Sequence, residues 1–271
     1  MSVPVAVQGP RGEVLVGSGS LAVIAGPCML ESRDLALRTA ETVAGVCERL
    51  GLPYIFKSSY LKANRTSRDS PMGPGLAEGL RILSEVRTTL GVPVLTDVHS
   101  PEEALTAGPV VDVLQVPAFL CRQTELLMAC AHAGKPVNVK KGQFLGPDVM
   151  GHAGEKAGGA GKVMLTERGS FFGYGDLVVD FRSLAILREL GYPVVFDVTH
   201  SLQRPGGTVT GGDRRFAPAM ARAAVAFGLD ALFVETHPDP DHALSDAATQ
   251  WPLDQLESLL AGCARARSGS N

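Results

Sequence analysis

Short apolar runs recur along the chain at a regular beat. They occupy Leu21–Ala25, Pro53–Phe56, Val92–Thr96, Val111–Val116, Val137–Val139, Lys162–Leu165, Val194–Asp197 and Ala231–Val234. Runs this short and this continuously apolar are what strands buried on both faces require. Between them lie longer amphipathic segments that read as helices: Arg33–Leu50, Gly75–Leu90, Pro101–Ala107, Arg122–Ala133, Asp180–Leu190 and Arg214–Phe227, with a last one from Pro252 to about Ala264. Four of these close on a glycine followed two residues later by a proline: Gly51, Gly91, Gly134 and Gly191. That pairing is a helix stop and a strand entry. Eight strands alternating with helices predict an α/β fold, a (β/α)8 TIM barrel. The alternative is an open doubly wound sheet, which is weakened because no G-x-G-x-x-G follows the first strand. Ahead of the barrel, Val3–Val7 and Glu13–Gly17 flank Gly9-Pro-Arg-Gly12, a β-hairpin signal. The chain therefore reads as one domain over residues 1–271, with a hairpin in 1–20 capping the closed end of a barrel in 21–265.

Composition excludes more than it identifies. The 271 residues are 45% hydrophobic and 20% charged, and a net charge of -3 provides no global attraction for nucleic acid or an anionic membrane. No stretch approaches the roughly 18 apolar residues of a membrane span, and the N-terminus lacks the pattern of an export signal. The five cysteines are scattered and odd in number, with no C-x-x-C pair, a reducing-compartment pattern that points to the cytoplasm.

Candidate chemistry gathers where the runs end. On a barrel, active sites form at the C-terminal ends of the strands. The residues at those exits are Cys28, Lys57, Asp97, Gln115, Lys140, Arg168, His200 and Glu235, all able to ligate, titrate or donate. The densest stretch is Lys57-Ser-Ser-Tyr-Leu-Lys-Ala-Asn-Arg-Thr-Ser67, which suits phosphate: arginine offers a planar fork, lysine a point charge, and hydroxyls fill the remaining acceptors. The plainer alternative is a solvated basic loop, with the cations paired to Asp97, Asp176 and Glu167. Lys57, Lys62, Arg65, Lys140 and Arg168 leave three strand exits, enough positive charge for two anionic groups. Strand alternation sends only one of Lys140 and Lys141 into the mouth, and Lys140 is the expected one.

Cys28, His200, Glu235 and Asp246 form a second set, a thiol, an imidazole and two carboxylates suited to a divalent transition metal with an open position. Taken alone, Cys28 is equally a small buried hydrophobe. His237-Pro-Asp-Pro-Asp-His242 is dense in ligand types, but its two prolines impose an extended chain, so it reads as a rigid loop able to present one ligand, with its other polar groups structural. His132 reads as a helix C-terminal residue, and His99 and His152 as loop residues. Arg204–Asp213, rich in glycine, reads as a mobile lid without the Gly-Lys-Ser/Thr ending of a nucleotide loop.

Several segments in order carry a resemblance: Lys62-Ala-Asn-Arg-Thr-Ser67, Gly73-Pro-Gly-Leu76, Thr96-Asp-Val-His99, Gln115-Val-Pro-Ala-Phe119, Asn138-Val-Lys-Lys141, Phe196-Asp-Val-Thr-His200 and the His237–His242 segment. From about Ile24 to Leu260 the chain resembles the 3-deoxy-D-manno-octulosonate 8-phosphate synthases. The related heptulosonate synthases carry Lys-Pro-Arg-Thr where this chain has Lys62-Ala-Asn-Arg65. The resemblance implies condensation of phosphoenolpyruvate with arabinose 5-phosphate and water, in the synthesis of a lipopolysaccharide sugar. It implies that Lys62, Lys140 and Arg168 hold phosphoenolpyruvate. Asn64, Arg65 and Thr66 fall in the sugar-phosphate segment, with Thr66 replacing the usual serine. Lys57, Asp97, Gln115, Pro117, Ala118 and Gln203 line the site. Catalytic roles fall to Lys57, Lys62, Asn64, Asp97, His200 and Asp246. The family has metal-dependent and metal-independent branches, with Cys or Asn at the position of Cys28, so a divalent ion such as zinc, iron or manganese is implied here. A homotetramer is implied in the same way. Two alternatives stay open: condensation with erythrose 4-phosphate, and a non-catalytic phosphosugar-binding barrel.

Overall fold

A computed structural model of the chain describes residues 2–63, 70–172, 175–205 and 210–268. At its centre, parallel strands close into a ring: β1 (Ala22–Gly26), β2 (Tyr54–Lys57), β3 (Val94–Asp97), β4 (Val113–Val116), β5 (Val137–Lys140), β6 (Val163–Glu167), β7 (Val194–Asp197) and β8 (Ala231–His237). Each pairs with its sequence neighbour, and β8 closes on β1 with Ala231 opposite Ala22. Around the ring lie α1 (Arg33–Leu50), α2 (Leu76–Leu90), α3 (Pro101–Ala107), α4 (Thr124–His132), α5 (Met150–Lys156), α6 (Arg182–Glu189), α7 (Ala217–Phe227) and α8 (Leu256–Ser268). The chain is thus a (β/α)8 barrel, as the beat of apolar runs predicts. Helix α5 is the element that this beat does not predict: seven residues with Gly151 and Gly154 inside carry no readable apolar stripe.

The helix boundaries follow from local chemistry. Ser32 caps α1, its hydroxyl accepting from the Leu35 amide at 3.1 Å, and Ser100 does the same for α3 from Glu103 at 3.2 Å. Helix α1 stops at Gly51, whose φ of 64° is left-handed and whose N–H reaches back to the Cys47 and Glu48 carbonyls.

Alternation along each strand sorts side chains into two cores. Outward positions such as Val23, Phe56, Leu114, Val139, Leu165 and Phe196 pack against the helices. Inward positions build layers. The floor is Val5, Val7 and Val16 from the N-terminal hairpin, whose strands Val5–Gly9 and Gly12–Val16 pair antiparallel. Above it lie Ala22, Ile24, Ile55, Leu95, Val113, Met164, Val195, Ala231 and Phe233. Two residues further along, the inward positions turn polar: Lys57, Asp97, Gln115, Thr166, Asp197 and Glu235, joined by Asn138 and Lys140, all buried. The period of two thus places an apolar plug beneath a polar layer at the C-terminal end.

Gly26 marks where β1 leaves the ring against β2. A Cβ there would sit 2.1 Å from the Lys57 carbonyl oxygen. Gly26→Ala is therefore expected to push β2 outward, costing about 1–3 kcal/mol of stability and displacing Lys57. Urea unfolding alongside an activity assay checks both effects.

Candidate active site

The polar layer is a connected network. Thr166 donates to Asn138 Oδ1 at 2.6 Å, Asn138 to Gln115 Oε1 at 2.8 Å, and Gln115 Nε2 to Asp97 Oδ1 at 2.5 Å. Ser59 donates to the other Asp97 oxygen, and Lys62 Nζ donates to Ser59 Oγ at 3.0 Å. Lys57 Nζ bonds the Cys28 carbonyl at 3.1 Å, pairs with Glu235, and lies 3.9 Å from Asp97 Oδ2. Burial opposes ionisation of Asp97, yet Lys57, Lys62 and Lys140 hold its carboxyl well below the usual range. An acid so placed stays an acceptor and fixes the surrounding donors.

Across the mouth, Lys140 Nζ donates to Asp197 Oδ2 at 2.6 Å and sits 3.8 Å above the centre of the Phe233 ring. His200 shares the same carboxylate, with Nδ1 2.7 Å from Asp197 Oδ2 and its backbone N–H 2.9 Å from Oδ1. Burial lowers the Lys140 ammonium below its ordinary value despite Asp197. Burial would lower His200 too, but there Asp197 prevails and the imidazolium is favoured. Arg168, buried at the β6 exit, gives Nη2 to Gln203 Oε1 at 2.7 Å, while its Nη1 has no hydrogen-bond partner. A buried guanidinium nitrogen without a partner is poised for an anion.

Cys28, Glu235 and Asp246 offer one ligand atom each, all within 4.8 Å of one another. Cys28 Sγ lies 3.2 Å from Asp246 Oδ2, and Gln203 Nε2 donates to Asp246 Oδ1 at 2.9 Å. His200 Nε2 borders the group, 3.5 Å from Asp246 Oδ2 and 3.7 Å from Glu235 Oε1. Asp246 has φ 48°, the one positive φ outside glycine among the described residues, a backbone cost that tends to accompany function. Burial and the nearby Glu235 push the Cys28 thiol well up. Burial opposes ionisation of both carboxyls, but Lys57 and His200 keep Glu235 below its usual range, and a hydrogen bond from His200 does so for Asp246.

These groups surround a cavity of about 190 Å³ lined by Lys57, Lys62, Asp97, Pro117, Ala118, Lys140, Arg168 and His200, among others. An outer cavity of about 550 Å³ shares Lys62, Phe119, Gln143, Arg168 and His200 with it and reaches Gln203 and Asp246. The inner volume suits a three-carbon acid phosphate, and the outer one admits a longer sugar phosphate.

The strand exits therefore bring together the described residues expected there from the sequence. Lys57, Asp97 and Lys140 are the last residues of β2, β3 and β5, and Gln115 and Glu235 lie inside β4 and β8, rather than following their strands. Lys141 turns away from the mouth, as strand alternation predicts, and lies 3.6 Å from Glu167. Asn64, Arg65 and Thr66 lie outside the described residues. The His237–His242 segment stays apart from the thiol–carboxylate group: His237 Nε2 lies 3.5 Å from Glu31 and His242 pairs with Asp239. Of the acids in the plainer reading, Asp97 lies 3.9 Å from Lys57 Nζ, and Glu167 lies 3.6 Å from Lys141 rather than beside a cation of the mouth. Lys140 takes Asp197, and it is Arg204 that takes Asp176.

Comparison with known proteins identifies the family. The sequence profile described as the DAHP synthetase I family matches residues 3–266. The chain belongs to that family. Within it, the chain is 58% identical over 242 residues to the 2-dehydro-3-deoxyphosphooctonate aldolase of Acidithiobacillus ferrooxidans, covering 88% of this chain and 86% of the relative. It is 57% identical over 244 residues to the protein of that name from Methylococcus capsulatus, covering 89% and 86%. It is 55% identical over 257 residues to the one from Synechococcus, covering 93% and 90%.

Several residues of the polar layer and the cavity wall were not singled out from sequence. Asp197 ends one apolar run, Thr166 directly follows another, and Asn138 lies within a third. The signal for all three is alternation: each stands at an inward position within the polar layer. His99 was read as a loop residue but lines the inner cavity, with its Nδ1 2.9 Å from Glu103.

Proposed function

We propose that the chain condenses phosphoenolpyruvate with D-arabinose 5-phosphate and water to 3-deoxy-D-manno-octulosonate 8-phosphate and inorganic phosphate, a step toward a lipopolysaccharide sugar. The observation that carries this reading is the convergence of Lys57, Lys62, Lys140 and Arg168 on one cavity that opens into a larger one. Two anions must be held side by side, and fixed cations offset their repulsion. In the reaction a bond forms between the enol CH₂ carbon and the aldehyde carbon. Water oxygen is added at the neighbouring carbon, and phosphate leaves from it. The aldehyde oxygen takes up a proton, one water proton leaves with phosphate, and the new keto group remains.

The chain's own groups suit these tasks. Arg168 Nη1 and Lys140 Nζ are placed for the phosphate and carboxylate of phosphoenolpyruvate. Asp97, held ionised, orients Lys57, Ser59 and Gln115 around the inner cavity. His200 keeps Nδ1 against Asp197 and lines both cavities, which turns Nε2 toward Glu235 and Asp246. The thiol and carboxylates fit a divalent metal, because Glu235 Oε2 is a buried carboxylate oxygen with no hydrogen-bond partner. Cys28, Glu235 and Asp246, joined by His200, would hold it, and such an ion supplies Lewis acidity when bound. We include in the proposal a cytoplasmic location and a homotetramer. The five cysteines are free and buried, which fits a reducing compartment, and no described helix is long and apolar enough to cross a membrane.

Phosphate release that depends on both substrates tests the reaction. Arg65→Ala is expected to raise KM for the sugar phosphate through loss of a charge-assisted contact of about 1.5–3 kcal/mol. Steady-state kinetics with each substrate varied would show this, and unchanged KM values would remove Arg65 from the site.

A further inference from the structure

Outside the active site, the exits of β5 and β6 carry a second pair of charges. Lys140 and Arg168 face the cavity, while their chain neighbours Lys141 and Glu167 face away and are themselves buried, 1% and 2% exposed. Lys141 and Glu167 line a separate cavity between these exits and α6. Taking two charges out of water is costly, and a fold that needs only packing at this place would be served by apolar side chains. The contacts of Lys141 suggest what the charge does. Its Nζ bonds the Leu145 carbonyl at 3.4 Å in the loop after β5, and Ser170 Oγ at 3.0 Å in the loop after β6, with Glu167 Oε1 at 3.6 Å. Glu167 Oε1 in turn accepts the Gly169 N–H at 2.6 Å, turning the chain immediately after Arg168. One ammonium thus ties together the two loops that run on from the cavity's cations Lys140 and Arg168.

We propose that Lys141 and Glu167 are positioning residues for phosphoenolpyruvate: the buried pair fixes the spacing of Lys140 and Arg168, and so sets affinity for the anion those two cations share. This rests on the phosphoenolpyruvate reading of the cavity. Neither member touches the cavity, so their influence passes through the backbone. Burial lowers the Lys141 ammonium below its ordinary value, with Glu167 opposing the shift.

The test separates positioning from stability. Lys141→Met removes the tie and strands Glu167. Lys141→Met/Glu167→Gln removes both charges and relieves that penalty. Direct binding of phosphoenolpyruvate is measured by calorimetry, with thermal midpoints recorded in parallel. The single variant is expected to lose stability and to bind phosphoenolpyruvate at least tenfold more weakly, with KM for arabinose 5-phosphate within twofold of wild type. The double variant is expected to regain most of the stability but not the affinity. Recovery of affinity together with stability would overturn the inference, and so would weakening of both substrates alike. Wild-type protein that binds phosphoenolpyruvate without turning over would sink the proposed reaction yet leave this comparison intact. Wild-type protein that does not bind it would sink both.

Discussion

Removal of divalent metal is expected to abolish phosphate release, and return of a divalent ion to restore it. The expectation rests on the donor set: a thiol, an imidazole and two carboxylates lie together, with His200 and Asp246 lining the outer cavity, and one buried carboxylate oxygen has no other partner. A mixed set of this kind accepts several ions, with selection left to geometry and availability. The sign of the pH dependence follows from the thiol. Burial and Glu235 push the Cys28 thiol up, so at neutral pH metal must displace its proton. His200 is favoured as the imidazolium and must also lose a proton to ligate. Apparent metal affinity should therefore fall as pH falls, by about tenfold per unit for each proton displaced. Titration of metal-free protein at a series of pH values would show it, and a flat profile would remove Cys28 from the ligand set. Cys28→Ser should weaken the metal. Cys28→Asn, the residue of the metal-independent branch, should leave chelator-resistant activity if the remaining groups position water.

The second large effect belongs to Asp197. It is fully buried and serves Lys140 and His200 at once. Asp197→Asn keeps the shape but leaves two buried cations facing a neutral amide. Breaking a buried pair from one side costs about 3–5 kcal/mol, and a shift of about 1 Å at Lys140 costs on the order of 10²-fold in rate. Burial opposes ionisation of Asp197, yet His200 and Lys140 hold its carboxyl below the usual range. Its stabilising contribution is therefore present above the unfolded value of about 3.9 and lost as pH falls through the lower folded value. His200 has the opposite sign. Its folded value is raised, so its contribution is complete below about 6.5 and lost as pH rises through the raised value. Denaturation of metal-free protein across pH should show a high-pH decline in wild type that flattens in Asp197→Asn. An unchanged profile would mean that the Asp197–His200 contact contributes nothing.

The same two residues mark what can be read from sequence. The barrel was legible because parallel strands buried on both faces leave a continuous apolar trace, and because glycine and proline punctuate the turns. The exits were legible because eight strands ended at or near residues able to carry chemistry. Helix α5 was not, since its glycines and short span leave no stripe. Asp197 was not, because an acid ending an apolar run looks the same whether it faces solvent or the barrel interior. Only the register of β7, with Val195 inward two residues before it, decides that. The run read as Lys162–Leu165 lies at Val163–Glu167, so Thr166 and Glu167 were placed past the strand rather than in it. The joining of Gln203 to Arg168 and Asp246 depends on segments 35 and 43 residues distant in sequence, which no local pattern relates.

The identity of the acceptor sugar is the most direct test of the account. Metal-replete protein would be given phosphoenolpyruvate with equal concentrations of arabinose 5-phosphate and erythrose 4-phosphate, and consumption of each aldose followed together with phosphate release. The account predicts phosphate release matched to loss of arabinose 5-phosphate, with no release when either phosphoenolpyruvate or the aldose is withheld. Equal or faster consumption of erythrose 4-phosphate, or tight binding of both substrates without product, would contradict it.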